Sequence, residues 1–182
     1  MSVDVFWFDI DVAGPVTDDH VDKLAESLHN KGGIDATVQA DERGGTVMFS
    51  RKAEDAAEAI LTAIEDLRAA DFTVTGIGGG DLVSIEEVAL RAKVSMSAAR
   101  HWAGGLRGPG GFPPPVQAKL YSWATVSEWL IQHKLGSVDH TAGQVARAAV
   151  YFNALLTVER TRESIPSHRR KAAEHEMLSG HC

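Results

Sequence analysis

Little in this sequence is arranged for bond-making chemistry. Its one cysteine is Cys182, the last residue, and no serine sits in a strand–turn–helix nucleophile elbow. No Cys-x-x-Cys or His-x-x-x-His frame offers ligands at metal spacing. His175, His181 and Cys182 come nearest to a metal set, but a fourth ligand and a rigid frame are missing. Neither a metal nor a cofactor is therefore expected. Asp9 and Asp11 share one strand face and read as solvated carboxylates. The run Gly76-Ile77-Gly78-Gly79-Gly80 lacks the lysine and hydroxyl residue that open the helix after a phosphate loop, so it reads as a flexible joint. The expectation is a protein that is not an enzyme.

What remains is contact chemistry. Ser95, Met96, Ser97, Arg100 and His101 fall on the outward side of a short predicted helix. Hydroxyls at a helix N-terminus and a guanidinium one turn later are suited to phosphate oxygens and base edges. The elements that must position them are legible. Ser84-Ile85-Glu86-Glu87 reads as a capping box, with Glu87 reaching back to the serine amide. It opens a helix over 85–92 with Ile85, Val88, Ala89 and Ala92 inward. After Lys93-Val94, Ser95 caps a second helix to about residue 103, with Ala99 and Trp102 inward. Two short helices, a tight turn and a small residue at Ala89 describe a helix-turn-helix. Lys93 stands where glycine is commonest, because that position often has positive φ.

A turn-rich loop, 104–111, leads to the extended Phe112-Pro113-Pro114-Pro115-Val116 and a returning strand, Leu120-Tyr121-Ser122-Trp123. Ser122 caps a third helix with Trp123, Val126, Trp129 and Leu130 inward. The order of helix-turn-helix, Phe-Pro-rich wing, aromatic strand and Val-x-x-Trp-Leu helix resembles the MerR-type winged fold. It is closest to excisionase and AlpA-type phage regulators. The resemblance covers residues 82–134 and implies helix 95–103 in the major groove of double-stranded DNA, with the wing 105–121 along the backbone. It also implies contacts from Ser84, Ser95, Met96, Ser97, Arg100, His101, Arg107 and Lys119. Met96 departs from a position that is often basic in this group.

The first eighty residues read as βαββαβ. Phe6, Phe8, Ile10 and Val12 alternate on one strand face. Gly14-Pro15 turns the chain, Thr17 or Asp18 caps a helix with Val21, Leu24 and Leu28 inward, and Gly32-Gly33 ends it. Ile34 to Ala40 alternates, a hairpin signal spans 41–45, and a strand follows over 46–50. A second helix is expected from about Lys52 to Ala69, with Ala53, Ala57, Ile60, Ile64 and Leu67 inward, then a strand over 72–77. This order is ferredoxin-like and weakly resembles ACT-type sensing domains, which implies a conceivable small-molecule or protein effector near 14–17. Val5, Trp7 and Met48 would form an apolar patch on the open sheet face, serving as a dimer or ligand surface or lying covered by the rest of the chain. RNA recognition is disfavoured, because only Trp7 could stack and the field is acidic.

Charge divides along the chain. Residues 1–80 carry 16 Asp and Glu against 6 Lys and Arg, residues 81–135 carry 4 against 6, and residues 136–182 carry 5 against 6. An acidic front and a mildly basic back suggest separate modules. Beyond them, Thr141-Ala-Gly-Gln144 reads as a capping box opening a helix to about 164 with Val145, Ala149, Phe152 and Leu156 on one face. That face suits dimerisation or packing on the same chain. Pro166 breaks the helix, and 167–182 reads as a flexible tail whose Arg169-Arg170-Lys171 could touch phosphate. The expected plan is α+β: a ferredoxin-like domain (1–77), a Gly-rich linker (78–81), a winged helix-turn-helix (82–135), a C-terminal helix (138–165) and a tail. A DNA-binding homodimer follows, transcriptional or phage-type in role, cytoplasmic and nucleoid-associated, with no membrane contact. The alternative is an adaptor or sensor whose N-terminal domain is the main site.

Overall fold

The computed structural model describes residues 3–78 and 81–179. The chain is α+β, with a four-stranded antiparallel sheet, a two-stranded ribbon and, among the described residues, seven α-helices. Strand β1 (Asp4–Ala13) pairs with β3 (Gly44–Ala53) over its whole length, from Asp4 opposite Ala53 to Ala13 opposite Gly44. Outside them lie β2 (Ala36–Asp41) on β3 and β4 (Thr73–Ile77) on β1, giving the order β2-β3-β1-β4. Period-two alternation sends Phe6, Phe8, Ile10 and Val12 to one face. There they are buried with Leu24 and Leu28 of α1 (Asp18–Asn30) and Ile60, Ile64 and Leu67 of α2 (Ala56–Ala69).

Two boundaries differ from the sequence expectation. The ladder holds β3 through Lys52, opposite Val5, and Ala53, so α2 starts later. Its cap is Asp55, whose carboxylate accepts the Glu58 amide at 2.9 Å. Satisfying that orphan donor sets the helix phase. Ala57 is therefore exposed, while Ala56, Ala59 and Ala63 turn inward. Strand β2 begins at Ala36, and Ile34 is exposed. Gly76 and Ile77 belong to β4, within the strand expected over 72–77, and the Gly78 amide donates to the Asp9 carbonyl at 2.7 Å. Gly79 and Gly80, the middle of the expected linker, lie outside the described residues.

This half of the chain buries charge as well as apolar surface. Arg51 and Asp66 are both buried and meet at 2.8 Å. The Arg51 guanidinium also grips Asp35 through two nitrogens, at 2.7 and 3.0 Å, and Lys31 closes on Asp66 from outside. Burial pulls the Arg51 guanidinium down, but the Asp35 and Asp66 carboxylates outweigh it and hold the group above its ordinary value.

The following segment has its own hydrophobic cluster. Strand β5 (Leu82–Val83) pairs with β6 (Tyr121–Ser122), and these carry α3 (Ile85–Arg91), α4 (Met96–Ala103) and α5 (Trp123–Gln132). Val83, Val88, Ala92, Trp123, Val126, Trp129 and Leu130 form its centre.

The long helix α6 (His140–Thr161) is capped by Asp139, which accepts the Thr141 amide at 3.0 Å. The expected Thr141–Gln144 box does not form, because the Gln144 amide meets His140 at 2.9 Å instead. Its Val145, Ala149, Phe152 and Leu156 face packs into the sheet cluster, so these four residues are not available as a dimer surface. Asn153 donates to the Ile77 carbonyl at 3.0 Å and accepts the Ile77 amide at 2.8 Å, closing the free edge of β4. Ala146 packs against the second cluster, and one helix thus touches both. After a 3₁₀ turn (Arg162–Ser164) comes α7 (Ser167–Ser179), where a flexible tail was expected. The Arg169 and Arg170 amides donate to the Pro166 carbonyl at 3.0 Å, so Pro166, five residues past the end of α6, opens α7. His181 and Cys182 lie outside the described residues.

Candidate nucleic-acid interface

The turn between α3 and α4 is built from local hydrogen bonds. Ser84 caps α3, its hydroxyl oxygen accepting the Glu87 amide at 3.2 Å. Glu87 does not reach back to complete a box; it turns forward to Arg91 at 2.8 Å. Ser95 caps α4 by accepting the Ala98 amide at 3.1 Å. Between the caps the Val94 amide donates to the Ala89 carbonyl at 3.0 Å, and Lys93 has φ 53°. The glycine expected of such a turn is absent, yet its left-handed conformation is kept. Small residues, Ala89 and Ala99, are buried in α3 and α4.

The sequence-derived contact residues divide into two groups. Ser97 and Arg100 on α4 and its cap residue Ser95, whose hydroxyl oxygen accepts the Ala98 amide, are exposed, as are Arg107 and Lys119 on the long loop. Met96 and His101 are half-buried, and so is Ser84, whose hydroxyl is already used at the α3 cap. Arg100 donates to the Glu86 carboxylate at 3.1 Å. Glu86 is held below the usual carboxylate range by its own backbone amide first, then by Arg100 and the Ser84 hydroxyl. Arg100 and Glu86 lie in water, so the pair opens readily to another anion.

The loop 104–120 carries little regular structure but is pinned by aromatic residues. The Trp129 indole donates to the Gly110 carbonyl at 3.0 Å. Phe112 stands edge-on to Trp129 and Tyr121, at 5.1 and 5.6 Å between centroids, and Trp102 lies 5.7 Å from Trp129. Trp123 and Trp129 are buried, whereas Trp102 is only half-buried. At Gly108, φ is 108° and a Cβ would fall 2.6 Å from the Trp102 ring, so no larger residue fits. Nearer β6 the Val116 amide donates to the Leu120 carbonyl at 2.9 Å and the Leu120 amide to Gln117 at 2.8 Å, a tight turn that carries Lys119.

Two surfaces escaped the sequence reading or were left open by it. On the sheet face away from α1 and α2, Trp7 is 70% exposed and Val5 is also exposed, with Met48 half-buried beside them. That patch is open to solvent rather than covered. On α6, Val150, Tyr151, Leu155 and Val158 are exposed opposite the buried face. Their spacing was readable, but an all-round apolar helix does not say which side its own chain will cover. Among the described residues no group of His, Cys, Asp and Glu could hold a metal, and no helix is long and apolar enough to cross a membrane.

The exposed hydroxyls, guanidinium groups and ammonium of α4 and the loop offer donors to an anionic backbone and to base edges. No family model, curated protein or solved structure matches this chain.

Proposed function

We propose that the protein is a sequence-specific double-stranded DNA-binding regulator, transcriptional or phage-type, and not an enzyme. In this reading residues 82–135 act as a winged helix-turn-helix similar to MerR-like and excisionase regulators, behind a ferredoxin-like domain over 1–77. The observation that carries it is the pair of Ser-capped short helices joined through a left-handed residue, with Ser95, Ser97 and Arg100 exposed on the second. Helix α4 would enter the major groove, where Arg100 exchanges Glu86 for a base edge or phosphate. The loop carrying Arg107 and Lys119 would follow the backbone. Ser84, Met96 and His101 support this surface from beneath more than they contact DNA.

The basic excess of this segment is small, so a lone copy would bind weakly, and two half-sites would add their phosphate contacts. A homodimer would use the exposed Tyr151, Leu155 and Val158 side of α6, since the opposite face is filled. Selection of genomic fragments by the purified protein, followed by salt-dependent duplex binding, tests the proposal. Arg100→Ala should weaken the selected duplex at least about tenfold. Binding that ignores the substitution, or no duplex binding at low salt, removes the reading. The second reading is a protein-interaction adaptor, favoured by the open Val5, Trp7 and Met48 patch.

A further inference from the structure

Strand β2 is the sheet edge left open among the described residues. Its one strand neighbour is β3, and the Ser50 amide donating to the Asp35 carbonyl at 2.8 Å fixes the phase of that ladder. Bonded and unbonded positions alternate along an antiparallel pair. Thr37, Gln39 and Asp41 therefore bond β3, and Ala36, Val38 and Ala40 turn their amides and carbonyls outward. No hydrogen bond among the described residues reaches those six groups. The opposite edge is guarded: the register shifts between Asp11 and Val12, and Asn153 pairs with Ile77. β2 has no such shift, no proline and no lysine, which are common guards of an exposed edge.

Beside this edge the open sheet face carries a cleft of about 490 Å³ between Ile34, Thr37, Met48 and Trp7. Ile34 is 63% exposed and sits just before β2. Carboxylates surround the edge. Asp41 and Glu42 are exposed at one end of β2, and Asp9 is exposed on the open face. On α1, Lys23 meets Asp71 and Lys31 meets Asp66, so that side of the helix faces α2. Helical spacing then turns the exposed Asp18 and Asp22 toward the β2 side. Lys31 is taken by Asp66, and Arg51 by Asp35 and Asp66. The exposed basic groups left nearby are Arg43, Lys52 and His29.

We infer that the β2 edge takes an extended, basic segment of a partner protein as a fifth strand. The outward backbone groups supply affinity, and the cleft takes one large apolar side chain of the added strand, which gives specificity. The surrounding carboxylates favour lysine and arginine at its other positions. A second copy of this chain is the poorer occupant. The two-fold register that pairs Ala36, Val38 and Ala40 together is centred on Val38, and there the copy offers the cleft only Thr37, Gln39 and Asp41. It would also set α1 beside α1, with Asp18 and Asp22 near like charges. The inference concerns the sheet domain and does not rest on DNA binding.

The test uses the full chain and three acetylated, amidated peptides. The first is Lys-Val-Phe-Val-Lys-Val-Lys, whose valines fall on the helix side of the sheet. The second carries Glu for each Lys, and the third carries Ala for Phe. The first should bind saturably, with at least about a tenfold advantage over either of the others. At saturation, hydrogen exchange at the Ala36, Val38 and Ala40 amides should slow at least about tenfold, because those amides gain partners. Val38→Pro deletes an outward amide that β3 does not use, a place where an edge strand accepts proline, and should abolish binding. Trp7→Ala alters an exposed side chain and should erase the preference for Phe over Ala while keeping that for Lys over Glu. It keeps the test decisive if the proline variant misfolds. Equal binding of the Lys and Glu peptides overturns the inference. So do unslowed exchange at the three amides, a folded Val38→Pro variant that binds as the parent does, a Trp7→Ala variant that still prefers Phe, or no saturable binding up to about 1 mM. Self-association that Val38→Pro abolishes, read by sedimentation, assigns the edge to a second copy and overturns it as well.

Discussion

The sheet half and the three-helix half solve the problem of a small core differently. The first buries an ionic knot, Arg51 with Asp66 and Asp35, among aliphatic and phenyl side chains. The second has no buried ion pair among its described residues and instead stacks Trp102, Trp129, Phe112 and Tyr121 under an irregular loop. A long sheet with two helices has enough backbone ladder to orient a buried guanidinium, whose donors all need partners. Three short helices and a two-residue ribbon lack that ladder, so large rings with a polar handle serve as both filler and anchor. The difference also partitions charge. Cations of the second half stay on its surface, where an external anion can reach them.

Two substitutions should separate the halves most strongly. Trp129→Ala removes a buried ring and the Gly110 tether, and should cost about 3–5 kcal/mol. Arg51→Ala leaves Asp66 without its buried cation, with only the more exposed Lys31 still paired to it, and should cost about 3 kcal/mol. Amide hydrogen exchange should show each loss concentrated in its own cluster. If either variant instead unfolds both clusters in one cooperative step, the two cores are one thermodynamic unit and the comparison fails.

The next effect addresses the helix that touches both. Asn153→Ala frees the Ile77 amide and carbonyl at the edge of β4 and should cost about 1–3 kcal/mol. Exchange should accelerate at Ile77 and along α6 more than within α3 and α4. Uniform acceleration everywhere would mean that α6 is held by its apolar face alone. The smallest effect has the opposite sign. Lys93→Gly relieves the left-handed lysine and should stabilise the second half by about 0.5–1 kcal/mol, read as a higher denaturation midpoint. An unchanged or lower midpoint would show that the lysine side chain contributes contacts of its own.

Much of the architecture was readable from periodicity and punctuation. The alternation of Phe6, Phe8, Ile10 and Val12 chose a strand and its buried face. Ser84, Ser95 and Ser122 marked three helix starts, each now seen accepting an amide three residues on. Where the reading slipped, a local signal had a competitor. Lys52 and Ala53 suit a helix, but pairing with β1 extends the strand to the Asp55 cap. Thr141 and Gln144 have box spacing, but Asp139 stands two residues earlier and takes the role. The tail lacked a strong apolar stripe, and α7 forms beyond Pro166 without one.

The sequence by itself determined which residues are inside β1, α1, α3 and α5, because burial within a strand or helix follows its own period. It also determined the chemistry of the candidate interface: serines at helix starts and one arginine a turn later. Only the tertiary structure decided which face of α6 is covered, that Arg100 rests on Glu86, and that Trp7, Asp9, Lys93 and Trp123 share a cleft. Those facts depend on contacts between residues up to more than a hundred positions apart. No local period encodes such contacts, since they arise when the two hydrophobic clusters pack against the same helix.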